Sequence, residues 1–156
     1  MNTDSDIIAA VDKAFGGIDR PEHFTNYTHC EECAEHDETL RAKPRVLLTR
    51  KDLGTLGWNP VTFCHLGAKA YLFPRLAREL LAEPDETYGW YGPEFISLVY
   101  WPLGDNDFRQ YCNTQQRAVV LALILHVIES RASLVESCCC ADDFLSCHQE
   151  WSAESI

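Results

Sequence analysis

Residues 29–36 read HCEECAEH: two histidines, two cysteines and three glutamates in eight positions. Thiolate sulfur and imidazole nitrogen are donors that zinc favours, and a structural zinc site takes four of them in a tetrahedron. If the segment is helical, His29, Cys33 and His36 fall within about 60° of one another around the axis, and Cys30 leans about 60° to one side. His29, Cys30, Cys33 and His36 are therefore the candidate metal ligands, with Zn2+ the candidate cofactor. One straight helix seldom supplies all four, because its side chains leave it roughly parallel. A closed site needs a further donor, and His23, Cys64, His65, Cys138, Cys139, Cys140, Cys147 and His148 are available. No second C-x-x-C completes a zinc ribbon.

The same residues admit two other readings. Cys30-x-x-Cys33 has the spacing of a redox dithiol whose thiol pKa a helix N-terminus lowers. Against it, Glu31, Glu32 and Glu35 bring negative charge that disfavours thiolate, and no βαβ pattern surrounds the motif. Alternatively the cysteines pack inward as small hydrophobes while the glutamates face water and the positive end of the helix dipole.

Other groups are explained without chemistry. Cys140, Cys147 and His148 with Asp142 or Asp143 show no familiar ligand spacing, and free cysteines are often core residues. In GDND, Asp105 and Asp107 could hold a hard cation, but as caps of a helix at Phe108 they are already explained. His126, inside an apolar segment, reads as a hydrogen-bonded core histidine. No G-x-S-x-G, H-E-x-x-H, phosphate loop or G-x-G-x-x-G is present, so the sequence names no reaction.

Helical patterns must position these residues. Ile7, Ile8, Val11 and Phe15 form an apolar stripe capped near Thr3 and stopped at Gly16 and Gly17. Thr28 is placed as the N-cap of a second helix running through the motif to about Ala42. Residues 43–60 read as a loop with one short strand or turn, punctuated by Gly54, Gly57 and Pro60. Residues 62–82 have helical periodicity interrupted by Pro74, which predicts a kink or two abutting helices. EFISLVYW is a short helix or a buried strand. Thr114 is placed as the cap of the longest helix, from Gln115 to about Glu136 and apolar on every side, and a last short helix covers DDFLSCHQEW. The expected fold is mostly α: residues 1–156 as a single helical domain of about five to seven helices around a central buried helix near 115–136.

The formal net charge is −11, unevenly spread. Residues 1–40 carry ten acids against two bases, residues 41–82 two against eight, and residues 83–156 twelve against three. Such a field repels nucleic acid and anionic membrane and speeds encounter with a cationic partner. The longest apolar run, Ala118 to Ile128, is eleven residues with His126 inside it, too short to span a bilayer, which takes about 20. MNTDSDIIAA lacks the basic start of a signal peptide, so a cytoplasmic location with reduced thiols is expected.

HCEECAEHDETL, HLGAKAYLFPRLARELL and FRQYCNTQQRAVVLALILHVI, in this order, resemble an uncharacterised family of small bacterial proteins, a domain of unknown function with an H-x-C-x-E-C-like motif. The resemblance implies a helical fold and no activity. Here His29 directly precedes Cys30, and the cysteines at 138–140 are additional.

Small size, acidity and the missing catalytic motifs lead to the expectation of a protein-binding module, of the immunity or antitoxin type, that occludes a basic toxin. Glu31, Glu32, Glu35, Asp37 and Glu38 are its expected contacts. The alternative is a zinc-binding protein built on His29, Cys30 and Cys33, structural or hydrolytic.

Overall fold

The computed structural model describes residues 2–101 and 106–153, and among these the regular structure is helical, with isolated β-bridges in place of strands. The described residues form nine α-helices: α1 (Asp4–Phe15), α2 (Glu31–Arg41), α3 (Arg50–Leu53), α4 (Leu66–Leu81), α5 (Gly92–Val99), α6 (Asp107–Tyr111), α7 (Thr114–Ser130), α8 (Ala132–Ser137) and α9 (Ala141–Ser152). None of them is long and apolar enough to cross a membrane.

Local chemistry explains most boundaries. Thr3 and Asp6 close a reciprocal capping box at the start of α1, and Asn113 with Gln116 does the same for α7, one residue earlier than the expected Thr114 cap. Segment 43–60 is more ordered than a loop with one short strand or turn. It holds a 3₁₀ turn at Arg45–Leu47 and α3, which is capped by Thr49 and Asp52, and leads into a second 3₁₀ turn at Pro60–Phe63. Gly54 ends α3 with φ of 84°, and a Cβ there would meet the Trp58 carbonyl oxygen at 2.0 Å.

Pro74 does not divide its helix: α4 runs unbroken past it. The lost backbone bond and ring clash cost about 3 kcal/mol. Around it Phe73, Pro74, Leu76 and Ala77 are all buried, and each large apolar side chain returns about 1.5–3 kcal/mol. EFISLVYW resolves as helix α5 rather than a strand.

The expected helix 115–136 is interrupted at Arg131, whose φ of −125° and ψ of 32° separate α7 from α8. No proline or glycine causes this. Arg131 instead reaches away from the helix, donating to both carboxylate oxygens of Asp4 at 2.7 Å and to the Leu81 carbonyl at 2.7 Å. His126 Nε2 meets the same Asp4 at 2.6 Å, so it is a hydrogen-bonded core histidine.

One hydrophobic cluster joins the elements. α1 packs on both α4 and α7, and α7 packs on α9. Of the two long helices α4 is the more deeply buried, with Phe73 meeting the rings of Phe15, Phe95 and Phe108 at centroid distances of 4.5, 5.9 and 5.8 Å. The opposite side of α7 exposes Leu125, so that helix is not packed all round.

Arg50 ties α3 to α5. Its guanidinium donates to Glu94 Oε1 at 3.0 Å and to the Gly54 carbonyl, and lies over the Tyr91 ring at 4.9 Å. Both charges are almost fully buried. Arg50→Met strands the Glu94 carboxylate, and urea unfolding should show a loss of about 3–5 kcal/mol, with the double variant Arg50→Met/Glu94→Met losing less. A loss under about 1 kcal/mol for the single variant would mean that the pair is effectively solvated.

Candidate metal centre

Helix α2 is fastened to the chain that precedes it. Asp37, one turn before its end, turns back toward residues 23–25. Its Oδ1 accepts the backbone N–H of Phe24 at 2.6 Å and of Thr25 at 3.2 Å, and its Oδ2 accepts His23 Nδ1–H at 2.7 Å. Thr25 returns the contact, its hydroxyl donating to the Cys33 carbonyl at 2.6 Å. A second set of bonds holds the loop to the start of α4. The His65 N–H donates to the Phe24 carbonyl, and His65 Nε2 donates to the His23 carbonyl at 2.7 Å while Nδ1 accepts the Ala68 N–H.

Burial, the largest influence on the Asp37 carboxyl, favours its protonated form. The bonds from His23, Phe24 and Thr25 together outweigh it, and the pKa lies below the ordinary carboxylate value. Asp37 is therefore an internal staple. At 3% exposure it does not face outward as a partner contact, the role expected for it from charge alone.

The staple delivers His29 and Cys30 to the first turn of α2. The N-cap is Cys30, two residues later than the expected Thr28, with φ of −162° and ψ of 172°. The Cys33 N–H donates to Cys30 Sγ at 3.4 Å, the two sulfurs lie 3.3 Å apart, and His29 Nδ1 is 3.7 Å from Cys33 Sγ. One donor atom from each of His29, Cys30 and Cys33 lies within 4.8 Å of the others, the one such trio among the described residues. The edge of a tetrahedron with metal–sulfur bonds of about 2.3 Å is about 3.8 Å, so the three atoms already approximate one coordination face. His29 and Cys30 are exposed and Cys33 is buried.

This cap also reverses the charge argument made from the glutamates. The Cys33 N–H, then the Cys33 thiol, then His29 stabilise a Cys30 thiolate and bring its pKa down to about 7. Direct hydrogen bonds win over the solvent-screened carboxylates nearby. The neighbouring Cys30 sulfur pushes the Cys33 thiol up.

His36 stands apart. It is wholly buried, packs at 4.5 Å from Trp58 and 4.6 Å from Phe63, and directs Nε2 at Glu32 Oε1, 3.3 Å away. The expected common face of residues 29, 33 and 36 assumed a helix through all of them. With the helix starting at Glu31, His29 leaves that face and Cys30 joins the cluster. Of the acidic residues, Glu31, Glu35 and Glu38 are exposed at successive turns of α2, and Glu32 is half-buried beside His36.

The buried cysteines elsewhere serve packing. Burial pushes Cys64 and Cys112 up to about 12 and Cys140 to about 11, and raises Cys147 further. Of the triplet, Cys139 is exposed at φ of 56° and Cys138 is half-buried. In GDND, Asp105 lies outside the described residues. The cap of α6 is Asn106, which accepts the Arg109 N–H, and Asp107 is the first helical residue.

Asp37→Ala removes the acceptor from two buried N–H groups and should cost about 3 kcal/mol in urea unfolding at neutral pH. Because the folded pKa lies below the unfolded one, the Asp37 contribution is complete above about pH 4 and fades as the carboxylate protonates below that. The variant should therefore lose less stability than wild type between neutral pH and pH 3; parallel curves would show that the staple is not ionic. No protein-family model matches the chain, and neither the curated proteins nor the solved structures provide a significant match.

Proposed function

We propose that this chain binds a thiophilic metal ion, Zn2+ foremost, through His29, Cys30 and Cys33, with a fourth coordination position open to solvent or to a partner. The observation that carries this reading is the convergence of two sulfurs and one imidazole nitrogen within 4.8 Å. The fixed loop adds support, since donors held before the metal arrives lose less conformational entropy on binding. Bound there, zinc supplies a Lewis-acidic position. The chain contributes orientation, through Thr25 and Asp37, and a thiol that ionises easily.

Metal content by mass spectrometry, on protein purified reduced and without chelator, tests this. The expected result is close to one zinc per chain, lost in Cys30→Ser and Cys33→Ser and weakened at least about tenfold in His29→Ala. His36→Ala should keep the metal. Zinc retained in both cysteine variants, or none in wild type, would sink the proposal.

A second reading concerns the outer face of α2. Glu31, Glu35 and Glu38 are spaced to form one exposed acidic stripe, which favours a basic protein partner such as a toxin occluded by this surface. In cells expressing a basic toxin that this chain neutralises, Glu31→Lys/Glu35→Lys/Glu38→Lys should abolish growth rescue. Undiminished rescue would remove the stripe from the interface.

A further inference from the structure

We propose that Cys30 and Cys33 undergo reversible thiol–disulfide exchange with small-molecule disulfides, and that the disulfide disables the metal centre; only this second part rests on the metal-binding reading above. The geometry is nearly that of the product. The sulfurs are 3.3 Å apart, and a disulfide bond is about 2.05 Å. The remaining distance is a matter of side-chain torsion, because Thr25 holds the Cys33 carbonyl and Asp37 holds the loop before Cys30.

The two cysteines are unequal in a way that orders the reaction. Cys30 is exposed at the N-cap, whereas Cys33 is 7% exposed beneath it. An incoming disulfide reaches Cys30. Its thiolate attacks one sulfur of oxidised glutathione, the glutathione S–S bond breaks, and one glutathione leaves and takes up a proton. Cys33 then gives its proton to water, and its sulfur attacks Cys30 Sγ and displaces the second glutathione. Two protein thiols are oxidised to one disulfide, and one glutathione disulfide is reduced to two thiols. The product lacks both thiolates that the metal requires, leaving His29 as the only member of the trio with a free donor.

The experiment uses metal-free, reduced protein carrying Cys138→Ser and Cys139→Ser, which removes the other accessible thiols. It is equilibrated with mixtures of reduced and oxidised glutathione, quenched with acid, alkylated and mapped by mass spectrometry. The expected product is an intramolecular Cys30–Cys33 link with little glutathione adduct. Adding Cys33→Ser should trap a stable adduct on Cys30, and adding Cys30→Ser should slow exchange by at least about tenfold. A persistent adduct without Cys33→Ser, or unchanged exchange after Cys30→Ser, would overturn the proposal.

The same titration on zinc-loaded protein, followed with a zinc-responsive dye, reads the switch. Zinc appearing in step with the disulfide supports it, and zinc staying bound while the disulfide forms overturns it. If the protein takes up no zinc yet the link forms, the exchange stands and both the metal reading and the switch fail.

Discussion

The arrangement around residues 29–33 depends on one carboxylate. Asp37 is buried, accepts two backbone N–H groups and an imidazole, and by doing so bends residues 23–25 back along the helix that follows them. Without it, the Phe24 and Thr25 N–H groups would be buried without an acceptor, and the loop carrying His29 and Cys30 would lose its register against Cys33. A charge in the interior is tolerated only when its lone pairs are occupied. The position of three donor atoms thus follows from the hydrogen-bond requirement of a residue that donates nothing to the site itself.

A comparable device operates at the C-terminal end of α7. Asp4 accepts Arg131 through both oxygens and His126 through one, and its carboxyl is held well below the usual range, by Arg131 first, against burial, and then by His126. The pair is partly exposed, so its energetic weight is modest. Its geometric effect is larger: it fixes where α7 ends and how α1 lies against it. Both carboxylates belong to the acidic excess of the charge count, and both fasten one part of the chain to another, Asp37 from the interior and Asp4 from the surface.

How far this could be read in the sequence depended on whether the cause was local. The stripe of Ile7, Val11 and Phe15 located α1 because helical periodicity needs no distant information. The C-x-x-C spacing drew attention to the right eight residues. The cap was misplaced because serine, threonine, aspartate and asparagine dominate N-cap preferences, and Thr28 outranked Cys30 on that scale. That shift of two residues moved His29 off the helix, while His36 left the ligand set because its ring is buried against Trp58 and Phe63. The inward turn of Asp37 and the break at Arg131 depend on partners far along the chain or on loop closure, which periodicity does not encode. Pro74 illustrates the converse: its local cost was legible, but the burial that offsets it was not.

The contact between Asp4 and Arg131 spans 127 positions, and closing a segment of that length costs about 4 kcal/mol in chain entropy. During synthesis α1 leaves the ribosome long before α7 exists. It can meet α4 earlier, but its packing on α7 and the Asp4 bonds must wait for the late helices. Its apolar stripe is then only half covered. In the growing chain the stripe of Ile7, Val11 and Phe15 therefore stays partly uncovered until the late helices close the bundle.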